Sequence, residues 1–94
     1  MKVLGRDKLV AFARKHANSK KALDVWFVET SRAVWQSPKD IKAHHRSADF
    51  LSENRVIFNI KGNHYRLIIK VKYQYGLAII EWIGTHAEYD KQRF

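Results

Sequence analysis

A row of basic residues lies on one parity of a stretch that alternates like a β-strand. Apolar residues alternate from position 65 to position 73, and Arg66, Lys70 and Lys72 share the other parity, which only Ile68 interrupts. Such residues project from one face of a strand, so they form a row of cations that can follow phosphates. A solvated strand face also carries charges, but usually of both signs. Lys61 and His64 extend the cluster without an acidic residue, which favours phosphate binding.

The C-terminal segment gathers side chains that can transfer protons. His86, Glu88 and Tyr89 lie within four positions of one another, directly after a predicted strand. An imidazole titrates near neutral pH, so His86 is a candidate for proton transfer, although a lone histidine is more often structural. The segment that carries it is expected to fold back across the edge of the sheet, whereas the other histidines lie on a helix, in a loop or at a turn.

Motifs for metals and nucleotide cofactors are missing. The sequence has no cysteine, which excludes disulfides, thiolate metal sites and a cysteine nucleophile. It has no H-x-x-x-H, G-x-G-x-x-G, P-loop or G-x-S-x-G motif, and the adjacent pair His44 and His45 is a weak metal signal. We therefore predict no metal and no cofactor.

The N-terminal half is predicted to be helical after one short strand. The length of 94 residues predicts a single domain, residues 1–94. Met1–Leu4 suits a brief strand, and helical spacing predicts helices over about 7–16 and from residue 18 to about residue 35. Ser37 and Pro38 predict a third, short helical segment through about residue 43, followed by a basic loop.

The C-terminal half is predicted to be a β-meander. Residues 56–60, 65–73 and 77–84 have strand patterns, and glycine-containing turns separate them. The last strand is apolar on both parities, which indicates cover on both faces. Helices on one face of an antiparallel sheet give an α+β domain of order β-α-α-β-β-β, with Trp26, Trp35 and Trp82 in or near the core.

The overall charge favours a polyanionic partner. Lys and Arg number 18 against 9 Asp and Glu, a net charge of +9, and nucleic acid is the leading candidate. No apolar stretch approaches the ~20 residues of a membrane span. The N-terminus becomes charged too early for a secretory signal, so a cytoplasmic location is expected.

Two segments carry a family resemblance. The pattern N-R-V-x-F-N-I-x-G-N-x-Y-R begins at Asn54, and G-T-H-x-E-Y-D begins at Gly84. Together they resemble the HigB toxins of type II toxin–antitoxin systems. Trp26, Trp35 and the segment 37–42 also fit, so the resemblance extends over nearly the whole chain.

The resemblance implies a RelE-like fold in which helices cover one face of the sheet and mRNA binds the other, concave face. Such toxins are metal-independent mRNA endoribonucleases that generally act in the A site of the 30S ribosomal subunit. The implied partners are mRNA, the ribosome and a HigA-like helix-turn-helix antitoxin, with no membrane.

Metal-free RNA cleavage requires phosphoryl stabilisation and proton transfer, and the resemblance directs these roles to the two motifs. Arg66 is the expected phosphoryl stabiliser, because guanidinium is bidentate and always charged, with Lys61 as a supporting cation. His86 is expected to transfer protons, Glu88 to orient it or act as base, and Tyr89 to stack on a base or donate a proton. The expected nucleic-acid contacts are Asn63, His64, Lys70, Lys72 and Lys91.

Two other classes of function share these features. A binding module could hold RNA or DNA on the same cationic sheet without breaking a bond, and basic charge predicts both functions equally. A protein-interaction subunit without a nucleic-acid ligand would need an acidic partner, which an antitoxin segment could supply. Only the combination of the cationic row with the His/Glu/Tyr tail favours catalysis.

Overall fold

One five-stranded sheet organises the chain, and a computed structural model describes all 94 residues. The elements follow in the order β1 (Lys2–Leu4), α1 (Arg6–Lys15), α2 (Lys20–Arg32), α3 (Pro38–His44), β2 (Asp49–Leu51), β3 (Arg55–Ile60), β4 (Tyr65–Lys72), β5 (Leu77–Thr85) and α4 (His86–Asp90). The strand order across the sheet is β1-β5-β4-β3-β2. β1 pairs in parallel with β5, and the other pairs are antiparallel. The predicted α+β class and the β3-β4-β5 meander are confirmed.

The strand β2 was not predicted. It is three residues long, pairs with the first half of β3, and has no alternating pattern, because two of its three residues are exposed. α2 also ends earlier than its spacing indicates: Ala33 is extended (ψ 152°), and the chain then places Trp35 in the core while Val34 is 78% exposed. The α2 pattern predicted Val34 on the core-facing side of a longer helix, and this was wrong.

The hydrophobic core lies between the helices and one face of the sheet. Leu9 of α1, Leu23 and Trp26 of α2 and Ile41 of α3 pack with the apolar parity of the strands. From the sheet, the core receives Val56, Phe58, Ile60, Tyr65, Leu67, Ile69, Val71, Ala78 and Ile80. Trp26 and Phe58 meet edge to face, with ring centroids 5.5 Å apart. This packing leaves the opposite face of β3, β4 and β5, which we call the outer face, for other contacts.

A bulge in β5 reverses the alternation of that strand at Glu81. Ile68 of β4 pairs with Trp82, whereas the next residue, Ile69, pairs with Ile80, so Glu81 is an extra residue. Ile80 and Trp82 are two residues apart and would share a face of a regular strand. The extra residue turns Ile80 into the core and Trp82 onto the outer face.

No helix in the structure has both the length and the apolar character that crossing a bilayer requires.

Candidate functional site

Three rows of paired residues cross β3, β4 and β5 on the outer face. They are Asn59–Arg66–Gly84, Ile57–Ile68–Trp82 and Arg55–Lys70–Ile79. Lys72 continues the basic parity of β4, so the predicted cationic row lies on one face. Arg55 joins this row opposite Lys70. Arg55 was not among the predicted site residues, although it has the same parity on β3 as Asn59.

Aromatic residues of the C-terminal segment cover the middle of the outer face. The Trp82 ring lies 6.2 Å from that of Tyr89 and 5.4 Å from that of Phe94. Ile57 and Ile68 are 4% and 0% exposed although they point away from the core cluster. The outer face is therefore an apolar floor with cations around it, whereas the strand pattern predicted a cationic face that only Ile68 interrupts.

Arg66 lies on the outer face beside this aromatic cluster. Its guanidinium carbon is 4.5 Å from the centre of the Tyr89 ring, and its Nε is buried without a hydrogen-bond partner. Arg66 also has no carboxylate within 4.0 Å, because the structure contains only the pairs Lys20–Asp24 and His86–Asp90. A guanidinium with free N–H groups and full charge is suited to a phosphate.

Gly84, which pairs with Arg66 in the sheet, has no side chain, and the Trp82 ring occupies the space where a Cβ atom would lie. A Cβ atom at Gly84 would lie 2.5 Å from two atoms of that ring. A side chain here would displace the indole from the outer face, so the family motif's glycine has a steric role.

A capping box fixes α4 against the end of β5. Thr85 Oγ1 accepts a hydrogen bond from the Glu88 backbone N–H, and Glu88 Oε1 accepts one from the Thr85 backbone N–H. These bonds, chiefly the one from the Thr85 backbone, hold the pKa of the Glu88 carboxyl below its usual value. The Glu88 carboxylate thus caps the start of α4, as the acid of a capping box does.

The carboxylate beside His86 belongs to Asp90, which was not among the predicted site residues. Its Oδ2 is 3.4 Å from His86 Nδ1, and the two residues are four apart on α4. The i, i+4 spacing of a histidine and an aspartate on a short helix could have identified this pair. The His86 ring lies 6.5 Å from that of Tyr89, so Tyr89 is a neighbour of both His86 and Arg66.

The β3–β4 turn meets the start of α4. The His86 backbone N–H donates to the His64 carbonyl at 3.2 Å, which joins the backbones of the two histidines where β4 begins and β5 ends. His64 and Asn63 are exposed in this turn, and Lys91 is exposed just after α4. Lys61, in a left-handed conformation (φ 52°), instead lines a cavity against α2.

Carboxylates and imidazoles do not gather elsewhere: the structure has no group of three or more that could hold a metal ion. His45, predicted in a basic loop, contacts the core, where its ring meets Phe58 at 4.9 Å and Trp35 at 6.1 Å. Burial lowers the pKa of His45 below its usual 6.5, which the Glu29 carboxylate opposes.

The helices on one face of a mainly antiparallel sheet, with Arg66 and His86 on the other, define a RelE-like toxin fold. A family model described as HigB_toxin, the RelE-like toxic component of a toxin–antitoxin system, matches residues 19–92. The chain therefore belongs to the HigB toxin family, and its biological partner is an antitoxin. A search of curated proteins found no significant match.

Proposed function

We propose that this toxin is an endoribonuclease that cleaves messenger RNA, held at the ribosome, by attack of a ribose 2′-OH on the adjacent phosphorus. The products are a 2′,3′-cyclic phosphate and a 5′-OH. The observation that carries the proposal is the grouping of Arg66 and His86 around Tyr89, with an unpaired guanidinium beside the tyrosine ring.

Arg66 stabilises the charge that develops on the phosphoryl oxygens. Its N–H groups are not occupied by a carboxylate, and its Nε has no partner. Because the guanidinium is partly buried beside aromatic rings, its charge is screened less than that of an exposed lysine. Lys70, paired with Arg55 on the same face, is the supporting cation, whereas Lys61 lies along α2.

His86 is the proton donor to the departing 5′ oxygen. Asp90 at 3.4 Å orients its Nδ1, which leaves Nε2 for the substrate. His64, tied to His86 through the backbone, supplies a second imidazole at the same end of the site and accepts the 2′ proton. A histidine pair of this kind can divide acid and base work between two residues.

The remaining basic side chains hold the RNA backbone. Arg55, Lys70 and Lys72 follow the outer face along β3 and β4, while Asn63 lies in the β3–β4 turn and Lys91 directly after α4. Arg66 and Phe94 both lie against the Tyr89 ring, so an unpaired base that stacks on Tyr89 takes the place of the C-terminal Phe94. Glu88 acts through the α4 cap and does not touch the substrate.

The test is cleavage of a defined mRNA by the purified toxin, free and positioned in the A site of ribosomes. We expect cleavage on the ribosome with a 2′,3′-cyclic phosphate end, and none when the attacking ribose is 2′-deoxy. Arg66→Ala should lower kcat about 10²- to 10³-fold, as loss of a charge-stabilising donor does. The matched control is Arg46→Ala, which removes an exposed arginine outside the strands.

Tight RNA binding without any cleavage would contradict the proposal. The same cationic face would then belong to a non-catalytic nucleic-acid-binding module, the second candidate function.

A further inference from the structure

The outer edge of β3 is only half paired. β2 pairs with Arg55, Val56 and Ile57 and then ends, so Phe58 to Ile60 have no neighbouring strand on that side. The Val71 N–H donates to the Asn54 carbonyl at 2.9 Å, so the backbone of Asn54, directly before β3, faces β4. In an antiparallel pair, successive residues direct their backbone groups alternately toward and away from the partner strand. The backbone groups of Arg55, Ile57 and Asn59 therefore point away from β4. Asn59 thus has an N–H and a C=O at an open sheet edge.

A cavity of about 530 Å³ lies at this open edge, between β3 and α2. Its apolar wall consists of Ala22, Val25 and Trp26 of α2 with Ile60 of β3. Val25 is 49% exposed and lines the cavity, so its side chain is available to a ligand. We call this cavity the edge groove.

Two unpaired cations lie at the mouth of the edge groove. Lys21 and Lys61 line it, and neither has a carboxylate within 4.0 Å. Both are exposed. The groove thus combines free backbone hydrogen-bonding groups, an apolar wall and positive charge.

These three features fit an extended peptide better than a globular surface. A peptide that adds a strand to a sheet edge satisfies the backbone groups and directs alternate side chains into the adjacent pocket. A natural sheet edge that stays open is usually protected by charge, a bulge or a covering element, and here the charged side chains are Lys21, Lys61 and Glu29. Glu29 lies about two helical turns beyond Lys21 on α2, so the end of the groove that holds both lysines favours an acidic segment.

We propose that the edge groove is the docking site of an extended acidic segment of the antitoxin, which continues the sheet beyond β3. The segment pairs its backbone with Asn59, places an apolar side chain against Val25 and Ala22, and directs carboxylates to Lys21 and Lys61. This docking site goes beyond the proposed nuclease activity, because it concerns the partner of the toxin and not its substrate.

A segment docked in the edge groove can also affect the outer face without covering it, because the groove adjoins the β3–β4 turn. Lys61 begins the β3–β4 turn, and this turn is bonded to the start of α4 through His64 and His86. A strand added at Asn59 engages the residues directly before that turn. Docking at the edge groove therefore holds the turn, and with it the end of the outer face that carries His86.

The test measures toxin–antitoxin affinity with Val25→Glu, which places a negative charge in the groove wall. The probe is the protein encoded by the open reading frame adjacent to the toxin gene, co-expressed and then purified alone. We expect Kd to rise about tenfold or more, since a charge replaces a buried contact. Val28→Glu is the matched control: Val28 is 44% exposed on the same helix, does not line the groove, and should leave Kd unchanged.

Amide hydrogen exchange provides a second, variant-free measurement. We expect the Asn59 amide to become protected when the antitoxin binds, while exposed amides of α1 do not change. Unaltered binding by Val25→Glu, or an Asn59 amide that exchanges equally fast in the complex, would overturn the proposal. So would absence of a complex with the unmodified toxin.

A third variant tests the groove between α1 and α2 as the alternative dock. Val10 is 46% exposed and lines that groove. If Val10→Glu weakens binding and Val25→Glu does not, the antitoxin docks on the helices and the edge groove is excluded. Because all these measurements report binding, their outcome is independent of whether the toxin cleaves RNA.

Discussion

The guanidinium of Arg66 lies against the ring of Tyr89, with the Arg66 Cζ atom 4.5 Å from the ring centre. This contact joins the middle of the sheet to α4, because Arg66 belongs to β4 and Tyr89 to the segment after β5. A cation–π contact leaves the N–H edge of the guanidinium free for a ligand. The proposed site is thus assembled from two segments that are far apart in sequence.

The first prediction separates two roles of Tyr89. If the ring positions Arg66 and stacks on bases, Tyr89→Phe should keep kcat within about threefold, since the ring and its quadrupole remain. Tyr89→Ala should raise KM about tenfold by removing a stacking surface. Single-turnover kinetics on ribosome-bound mRNA measure both. A kcat loss of about 10² or more in Tyr89→Phe would instead identify the hydroxyl as a proton donor.

The second prediction concerns Asp90 as a positioning residue for His86. Asp90→Ala should lower kcat with little change in KM, because the Asp90 carboxylate contacts the imidazole at Nδ1 and not the RNA. Asp90→Asn, which keeps an oxygen at this position, should recover part of the activity. Lys91→Ala, one residue further, is the control for changes in RNA affinity, and there KM should move instead. Equal kcat in Asp90→Ala and the unmodified toxin would remove Asp90 from the site.

The third prediction concerns Glu88 as a helix cap. Glu88→Gln keeps an oxygen that can accept the Thr85 N–H, so activity should be nearly unchanged. Glu88→Ala should lose about 1 kcal/mol of stability through the cap, together with part of the activity. The measurements are urea unfolding and cleavage rate. If Glu88 were instead a general base, Glu88→Gln would be as inactive as Glu88→Ala, because the amide cannot accept the proton.

The pattern of the strands predicted the sheet well because a half-buried strand must alternate. The parity that put Arg66, Lys70 and Lys72 on one face is fixed by the pleat, and the structure keeps it. The sequence could not reveal the bulge at Glu81, because moving Trp82 to the outer face depends on the cover that the C-terminal segment supplies. The short strand β2 could not be predicted either, because it has no alternating pattern and is defined only by its pairing with β3.

The site residues also differ in how much of their placement could be predicted from the sequence. His86 and Arg66 were selected from residue chemistry and the family motif, and the structure brings them close to the same tyrosine. Lys61 was grouped with them because it is near in sequence, yet its left-handed turn conformation places it along α2. Asp90 was missed because its effect depends on a helix that only the capping box at Thr85 establishes.

The fourth prediction concerns the packing of Trp82. Gly84→Ala should destabilise the fold by about 1–3 kcal/mol, because the new Cβ atom would lie 2.5 Å from the indole ring. Adding Trp82→Phe, which removes the two clashing atoms, should recover most of this loss. Urea unfolding followed by circular dichroism compares the single and double variants. A Gly84→Ala toxin as stable as the unmodified one would show that the indole can leave the outer face freely.

The last prediction is a pH dependence of stability that originates at His45. Burial lowers the pKa of its imidazole below 6.5, so the unfolded chain binds more protons than the folded chain as the pH falls through that value. The free energy of unfolding should therefore decrease below about pH 6.5 and level off once the folded imidazole is also protonated. His45→Asn, which cannot titrate, should remove this part of the dependence. Denaturant unfolding at several pH values measures it for both proteins. Parallel curves would mean that protonated His45 is accommodated beside Trp35 and Phe58 without cost, for which the Glu29 carboxylate is the available counter-charge.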